Sequence, residues 1–230
     1  MKLRMLCIEC RPRYVDELLL VEQRDSGPYH VACPEGHRSV VSLQNFKFEL
    51  LLDSSGMAIL DGYTYEAVSS IAASFERFLE FYIEVMARKH GLSADELSRT
   101  WKHVKNKSER QIGSFLFVYL LENKCSPDFL EEEWFSFRNK VIHQGYIPSI
   151  EKVMAYGERI FKLIKGLLSE LKATSQEAIG LRAMEMNRQA RVVHHIPTMI
   201  CHTYPLNEGP QSFKEGLAHL QEIRRRAYSV

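Results

Sequence analysis

The run Arg138-Asn139-Lys140-Val141-Ile142-His143 sets an arginine and a histidine a little over one helical turn apart, just ahead of Gly145 and Pro148. Arginine is a permanent cation whose planar fork fits phosphate oxygens. Histidine is the side chain best suited to moving protons near neutral pH. Together they could cleave an RNA phosphodiester without a metal. His143 would take the 2′-hydroxyl proton or protonate the departing 5′-oxygen, and Arg138 would steady the charge building on the phosphorane. Asn139 would orient the imidazole or hold a phosphate oxygen. The product would be a 2′,3′-cyclic phosphate. One set of these groups is sparse for two proton transfers, whereas a twofold homodimer with the motif on its axis would bring two sets together. The spacing alone also suits a helix end where the three side chains merely cap carbonyls and form surface ion pairs.

A second constellation lies near the amino terminus, where Cys7-Ile8-Glu9-Cys10 precedes Cys33-Pro34-Glu35-Gly36-His37. Cys7, Cys10, Cys33 and His37 are four soft or borderline ligands, enough to close a tetrahedral structural Zn2+ site. All four positions would be filled by protein, which leaves none open for catalysis. Gly36 suits the sharp turn between ligands because glycine accepts positive φ. His30 is an alternative fourth ligand. Tyr14–Val21 and Pro28–Ala32 are candidates to pair as short strands; Ser39–Leu43 also reads as extended, and Phe46–Leu51 as extended or passing into a helix. So short a segment buries little apolar surface, and a metal would supply the missing stability. The pattern resembles a zinc ribbon. A disulfide is disfavoured in a cytoplasmic chain with five cysteines.

The elements that must position the first motif are helical. Ala67, Ile71, Phe75, Phe78, Leu79, Tyr82, Ile83 and Met86 recur at three- and four-residue spacing, the mark of an amphipathic helix. Gly91 ends it, and Ser93-Ala94-Asp95-Glu96 has the spacing of a capping box that opens another. Apolar segments at Ile112–Leu121 and Phe129–His143 predict two more. Val153, Tyr156, Ile160, Phe161, Ile164, Leu167, Leu168 and Leu171 form the stripe of a fifth. Short connections favour a bundle, with the helices near 62–90 and 149–172 packed together and carrying most of the core. Placed in the last turn of its helix, His143 sits where the helix dipole favours a cation. The expected architecture is therefore mainly α: a four- or five-helix bundle over 56–172, a small β zinc ribbon over 1–55, and a helical carboxyl-terminal extension over 173–230.

The segment Arg138 to Pro148 resembles the signature region of the HEPN superfamily, small helical bundles with an Arg-x4–6-His motif and usually a polar residue after the arginine. Asn139 stands in that position, and the helix carrying Ser74-Phe75-Glu76-Arg77-Phe78-Leu79-Glu80 is similar to the first long helix of such bundles. The resemblance covers about half the chain. It implies frequent dimerisation and metal-independent endoribonuclease activity in toxin, antiviral or RNA-processing systems, with Arg138 and His143 as the catalytic pair and Asn139 as the accessory residue. Glu76 or Glu80 would face the same pocket. Many members keep the bundle without activity, so the other reading is a non-catalytic module that binds a protein or nucleic-acid partner, such as a regulator, through the ribbon and tail.

Composition narrows the setting. Hydrophobic residues at 45% and charged residues at 26% are ordinary for a globular protein. The formal charge of +1 makes any RNA contact a local patch. The candidates are Lys102-His103-Val104-Lys105-Asn106-Lys107 with Arg110, and Arg224-Arg225-Arg226; either also suits a solvated helix face. No apolar run reaches the roughly 18 residues of a membrane span, and MKLRMLCIEC lacks a signal-peptide core. A cytoplasmic location with no membrane partner is expected. His194, His195, Cys201 and His202 fit no familiar metal spacing.

Overall fold

The structure is a computed structural model describing residues 2–6, 10, 18–22, 28–190, 198–201 and 209–228. Among these, five short strands and seven helices follow in chain order: β1 Lys2–Leu6, β2 Leu18–Glu22, β3 Tyr29–Ala32, β4 Arg38–Leu43, α1 Lys47–Leu60, α2 Thr64–Lys89, α3 Ala94–Trp101, α4 Ser108–Asn123, α5 Glu132–Gln144, α6 Ile150–Ala190, β5 Thr198–Cys201 and α7 Phe213–Tyr228. The protein is mainly helical, as expected. No helix among the described residues is long and apolar enough to cross a membrane.

Helix α2 is the centre of the bundle. Ala67, Val68, Ile71, Phe75, Phe78, Leu79, Tyr82 and Met86 are buried on it, and α1, α4, α5 and α6 all pack against it. The stripe read from the sequence is thus the core-facing side, and its partner is α6 through Val153, Tyr156, Ile160, Ile164, Leu167 and Leu171. These two long helices run in the same direction, because Glu84 pairs with Arg182 and Arg88 with Glu185. Between Glu76, Arg77, Glu80 and Glu84, α2 keeps a partly exposed polar stripe. The capping box at the start of α3 forms: Ser93 Oγ accepts from Glu96 N–H at 3.2 Å, and Glu96 accepts from Ser93 N–H at 3.2 Å.

Several expectations need correction. Of the two readings of Phe46–Leu51, the helix holds: Lys47 onward is helix, and the Glu49 carboxylate accepts from the Phe46 N–H at 2.9 Å. The rings of Phe46 and Phe48 reach Phe81 and Phe78 of α2. The break expected between residues 55 and 56 falls inside α1. β2 pairs antiparallel with β1, not with Tyr29–Ala32; that strand, β3, pairs antiparallel with β4. A third strand then joins from the tail: β5 lies parallel to β4, with Val40 opposite Thr198 and Leu43 opposite Cys201. The small β region is therefore assembled from both ends of the chain. Helix α6 runs on past 172 and bends at Ser175, whose φ of −145° and ψ of 30° are not helical. Helix α7 closes over α1 and α6, seating Phe213, Leu217 and Leu220 on Gly56 and Gly157.

Candidate functional site

Helix α5 positions the Arg-Asn-x3-His run by what it buries. Phe137 and Val141, four apart, face the core, so the remaining faces turn Arg138, Asn139 and His143 outward. Glu132 and Glu133 in the first turn suit the positive helix end, and His143 suits the negative one. Gly145 ends the helix with a φ of +68°, a left-handed conformation that costs other residues about 1–2 kcal/mol. The Tyr146 N–H returns to the Lys140 carbonyl at 3.2 Å. The chain then turns into α6, which runs back along α5, with Arg159 bonded to Glu131 at the far end.

The structure brings Arg138, Asn139 and His143 together and adds a fourth group. Arg138 Nη1 donates to Asn139 Oδ1 at 2.9 Å and approaches His143 Nε2 at 3.3 Å. Its other terminal nitrogen, Nη2, donates to Glu76 Oε1 on α2 at 2.7 Å. A guanidinium has no acceptor, so a hydrogen bond in this long contact uses the lone pair of His143 Nε2. Asn139 accepts from Arg138 and forms no hydrogen bond to the imidazole among the described residues. Glu80 stands apart from the cluster and pairs with Arg77; burial holds its carboxyl above the usual range.

Arg138 and Glu76 are largely shielded, at 18% and 24% exposure, whereas Asn139 and His143 are exposed. Tyr156 of α6 is buried against Phe137 and Trp134, with ring centroids 5.4 and 5.8 Å away. Burial pushes its phenol up, while Arg138 pulls it down and Glu76 raises it. Glu76 was marked only through the family resemblance, since a contact between residues so far apart leaves no local trace.

The amino-terminal constellation also converges. Cys10 Sγ lies 3.8 Å from Cys33 Sγ and 3.2 Å from His37 Nδ1, and Cys33 Sγ lies 3.5 Å from that nitrogen. The two sulfurs are too far apart for a disulfide, which needs about 2.05 Å. A tetrahedral ion bonded at about 2.3 Å to sulfur and about 2.0 Å to nitrogen would set edges of about 3.8 and 3.5 Å. The three ligand atoms fit such an ion. Gly36 has a φ of +82°; the Cys33 N–H donates to the His37 carbonyl at 3.1 Å and the Gly36 N–H to the Cys33 carbonyl at 2.9 Å, which closes the knuckle. His37, not His30, joins the cysteines. Cys7 lies outside the described residues, as do His194, His195 and His202. Cys125 is a free, exposed thiol.

Lys102–Lys107 is not a helix face but a turn joining α3 to α4. Comparison with protein-family models, with curated proteins and with solved structures found no match for this chain.

Proposed function

We propose that this protein is a metal-independent endoribonuclease of HEPN type, acting as a homodimer whose two Arg138–His143 sets form one composite site. The observation that carries the reading is the contact of Arg138 with Glu76, Asn139 and His143 at the exposed end of α5. It sets the fork of a guanidinium beside an imidazole nitrogen, the two groups that this chemistry needs.

The chemistry follows from these atoms. When a phosphodiester enters, Arg138 turns its Nη1 from His143 onto a non-bridging oxygen and releases the Nε2 lone pair. Nε2 takes the 2′-hydroxyl proton as the 2′-oxygen bonds to phosphorus. Arg138 stabilises the extra charge on the equatorial oxygens. The bond from phosphorus to the 5′-oxygen breaks, and a protonated His143 of the second subunit gives that oxygen its proton. The products are a 2′,3′-cyclic phosphate and a 5′-hydroxyl.

Cys7, Cys10, Cys33 and His37 hold a structural Zn2+ on this reading, and Zn2+ would tie the β3–β4 knuckle to the chain before it. It takes no part in cleavage. A role in antiviral defence or as a toxin suits a nuclease of this kind.

The test is cleavage of assorted RNAs by purified protein in EDTA, beside Arg138→Ala and His143→Ala. The reading expects loss of cleavage in both variants and a cyclic phosphate on the wild-type products. Equal cleavage by all three would trace the activity to a contaminant and reject it.

A further inference from the structure

The turn between α3 and α4 displays Lys102, His103, Lys105 and Lys107 to solvent, and Arg110 follows in the first turn of α4. From Leu97 to Leu121, Glu109 is the only carboxylate. None of Lys102, Lys105 and Lys107 forms an ion pair among the described residues. This is not a loose loop. The Lys105 N–H bonds to the Trp101 carbonyl at 2.9 Å, Arg110 Nη1 donates to the His103 carbonyl at 2.9 Å, and Gln111 Nε2 donates to the Lys105 carbonyl at 2.8 Å. Gln111 is only 2% exposed. Its Oε1 accepts from Arg77 Nη2 at 3.2 Å, so the amide is satisfied at both ends and the turn is fixed to α2.

That attachment locates the cations. Arg77 holds the basic turn, and its neighbour Glu76 holds Arg138. Both belong to the partly exposed polar stripe of α2, so turn and motif flank the same face of one helix at the same level. Packed helices lie about 8–10 Å apart, which puts the axes of α4 and α5, on either side of α2, within about 20 Å. Farther along α4, Phe117 is seven residues beyond Arg110 and hence on the same face. Its ring is 70% exposed. Gly113 lies between them, and a Cβ added there would meet nothing within 4 Å, so the face is open. Fixed cations that bind phosphates, followed by a solvent-facing aromatic ring that accepts a stacked base, are the two parts of a single-strand RNA track.

We infer that Lys102, Lys105, Lys107 and Arg110, with Phe117, form a binding track for single-stranded RNA leading from the Arg138–His143 site. The inference rests on RNA being the substrate, but not on its being cleaved. The track gives affinity through phosphates and stacking and reads no particular sequence, so the RNA it favours is unpaired and longer than the dinucleotide at the site.

The test uses full-length protein and a fluorescein-labelled, single-stranded 2′-O-methyl RNA of mixed sequence, which lacks the nucleophile and cannot be cut. Binding is followed against salt for wild type, the triple variant Lys102→Ala/Lys105→Ala/Lys107→Ala, and Phe117→Ala. All four side chains are exposed, and thermal melting checks the fold. The track predicts that the triple variant loses about two units of the log–log salt slope, near 0.7 for each phosphate contact removed, and binds at least tenfold more weakly at low salt. Stacking predicts a loss of about fivefold to a hundredfold for Phe117→Ala. Cleavage of the dinucleotide UpA should be unchanged in both.

Unchanged affinity and slope in the triple variant would overturn the track while leaving the nuclease reading intact if UpA is still cut. Lysine-dependent binding by a protein that cuts nothing would support the track and reject the nuclease. Tighter binding to duplex RNA, or equal binding to polyglutamate, would overturn it by showing a general acidic-partner surface.

Discussion

Glu76 of α2 and Arg138 of α5 share a hydrogen-bonded ion pair of 2.7 Å that ties the two helices together. The pair does two opposing things to the proposed phosphate site. It fixes the guanidinium in one orientation, and it cancels part of the charge the guanidinium would offer an anion.

Those two effects separate in variants of Glu76. Glu76→Ala frees the guanidinium from its only partner on α2, and cleavage should fall on the order of tenfold to a hundredfold, the cost of misplacing a reacting group by about 1 Å. Glu76→Gln keeps an oxygen for Arg138 and removes the negative charge, so it should retain most of the activity. Steady-state cleavage rates of the two variants check this. A purely structural role for Glu76 would make activity follow thermal stability in both, with no rescue by glutamine.

The metal knuckle makes a separate prediction. Protein purified without chelator should carry about one zinc per chain by elemental analysis, the stoichiometry of one four-ligand site. Cys10→Ser and Cys33→Ser should lose it. Chelator should then lower the wild-type melting temperature and leave the variants unmoved, because a ligand stabilises only the fold that binds it. RNA cleavage by folded, chelated protein should persist at low temperature.

Acid should weaken one surface cluster in a predictable direction. Lys89 and then His90 hydrogen-bond Glu122 and hold its carboxyl below the usual carboxylate range. A depressed folded value means that the stabilisation is complete above the unfolded value, near 4.3, and is lost as pH falls through the folded one. Glu122→Gln removes the group that titrates. Its melting temperature should therefore fall less than that of wild type between about pH 7 and pH 3. An identical fall in both would show that Glu122 carries none of the acid sensitivity.

The parts of this fold that were legible in the sequence are those set within a few residues. The buried stripes of α2 and α6, the box joining Ser93 and Glu96, the positive φ of Gly36 and the closeness of Arg138 to His143 all follow from local spacing. The partner of Arg138 does not, because Glu76 reaches it only when α2 and α5 pack. The parallel pairing of β5 with β4 has the same origin: a strand end gains a partner from the far end of the chain. Phe46, Phe48 and Leu50 alternate as a strand would, whereas Glu49 accepting from the Phe46 N–H opens a helix. The basic turn was visible as composition, but its attachment beside the motif depends on Gln111 meeting Arg77.

The docking of α7 predicts opposite outcomes for two glycines in α6. Alanine normally improves a helix interior over glycine by about 1 kcal/mol. At Gly166, which is exposed, an added Cβ would meet nothing within 4 Å. Gly166→Ala should thus raise the melting temperature by about 2–4 °C, the usual shift for 1 kcal/mol in a chain of this size. At Gly157 the same Cβ would sit 2.7 Å from Phe213 Cδ1 and 2.9 Å from Cζ. The ring is buried and tilted against Phe161, so it cannot swing aside as an exposed chain end would. Overpacking costs about 1–3 kcal/mol, which outweighs the helix gain. Gly157→Ala should lower the melting temperature and expose α7 to faster amide exchange, and a rise equal to that of Gly166→Ala would show that α7 does not seat on Gly157.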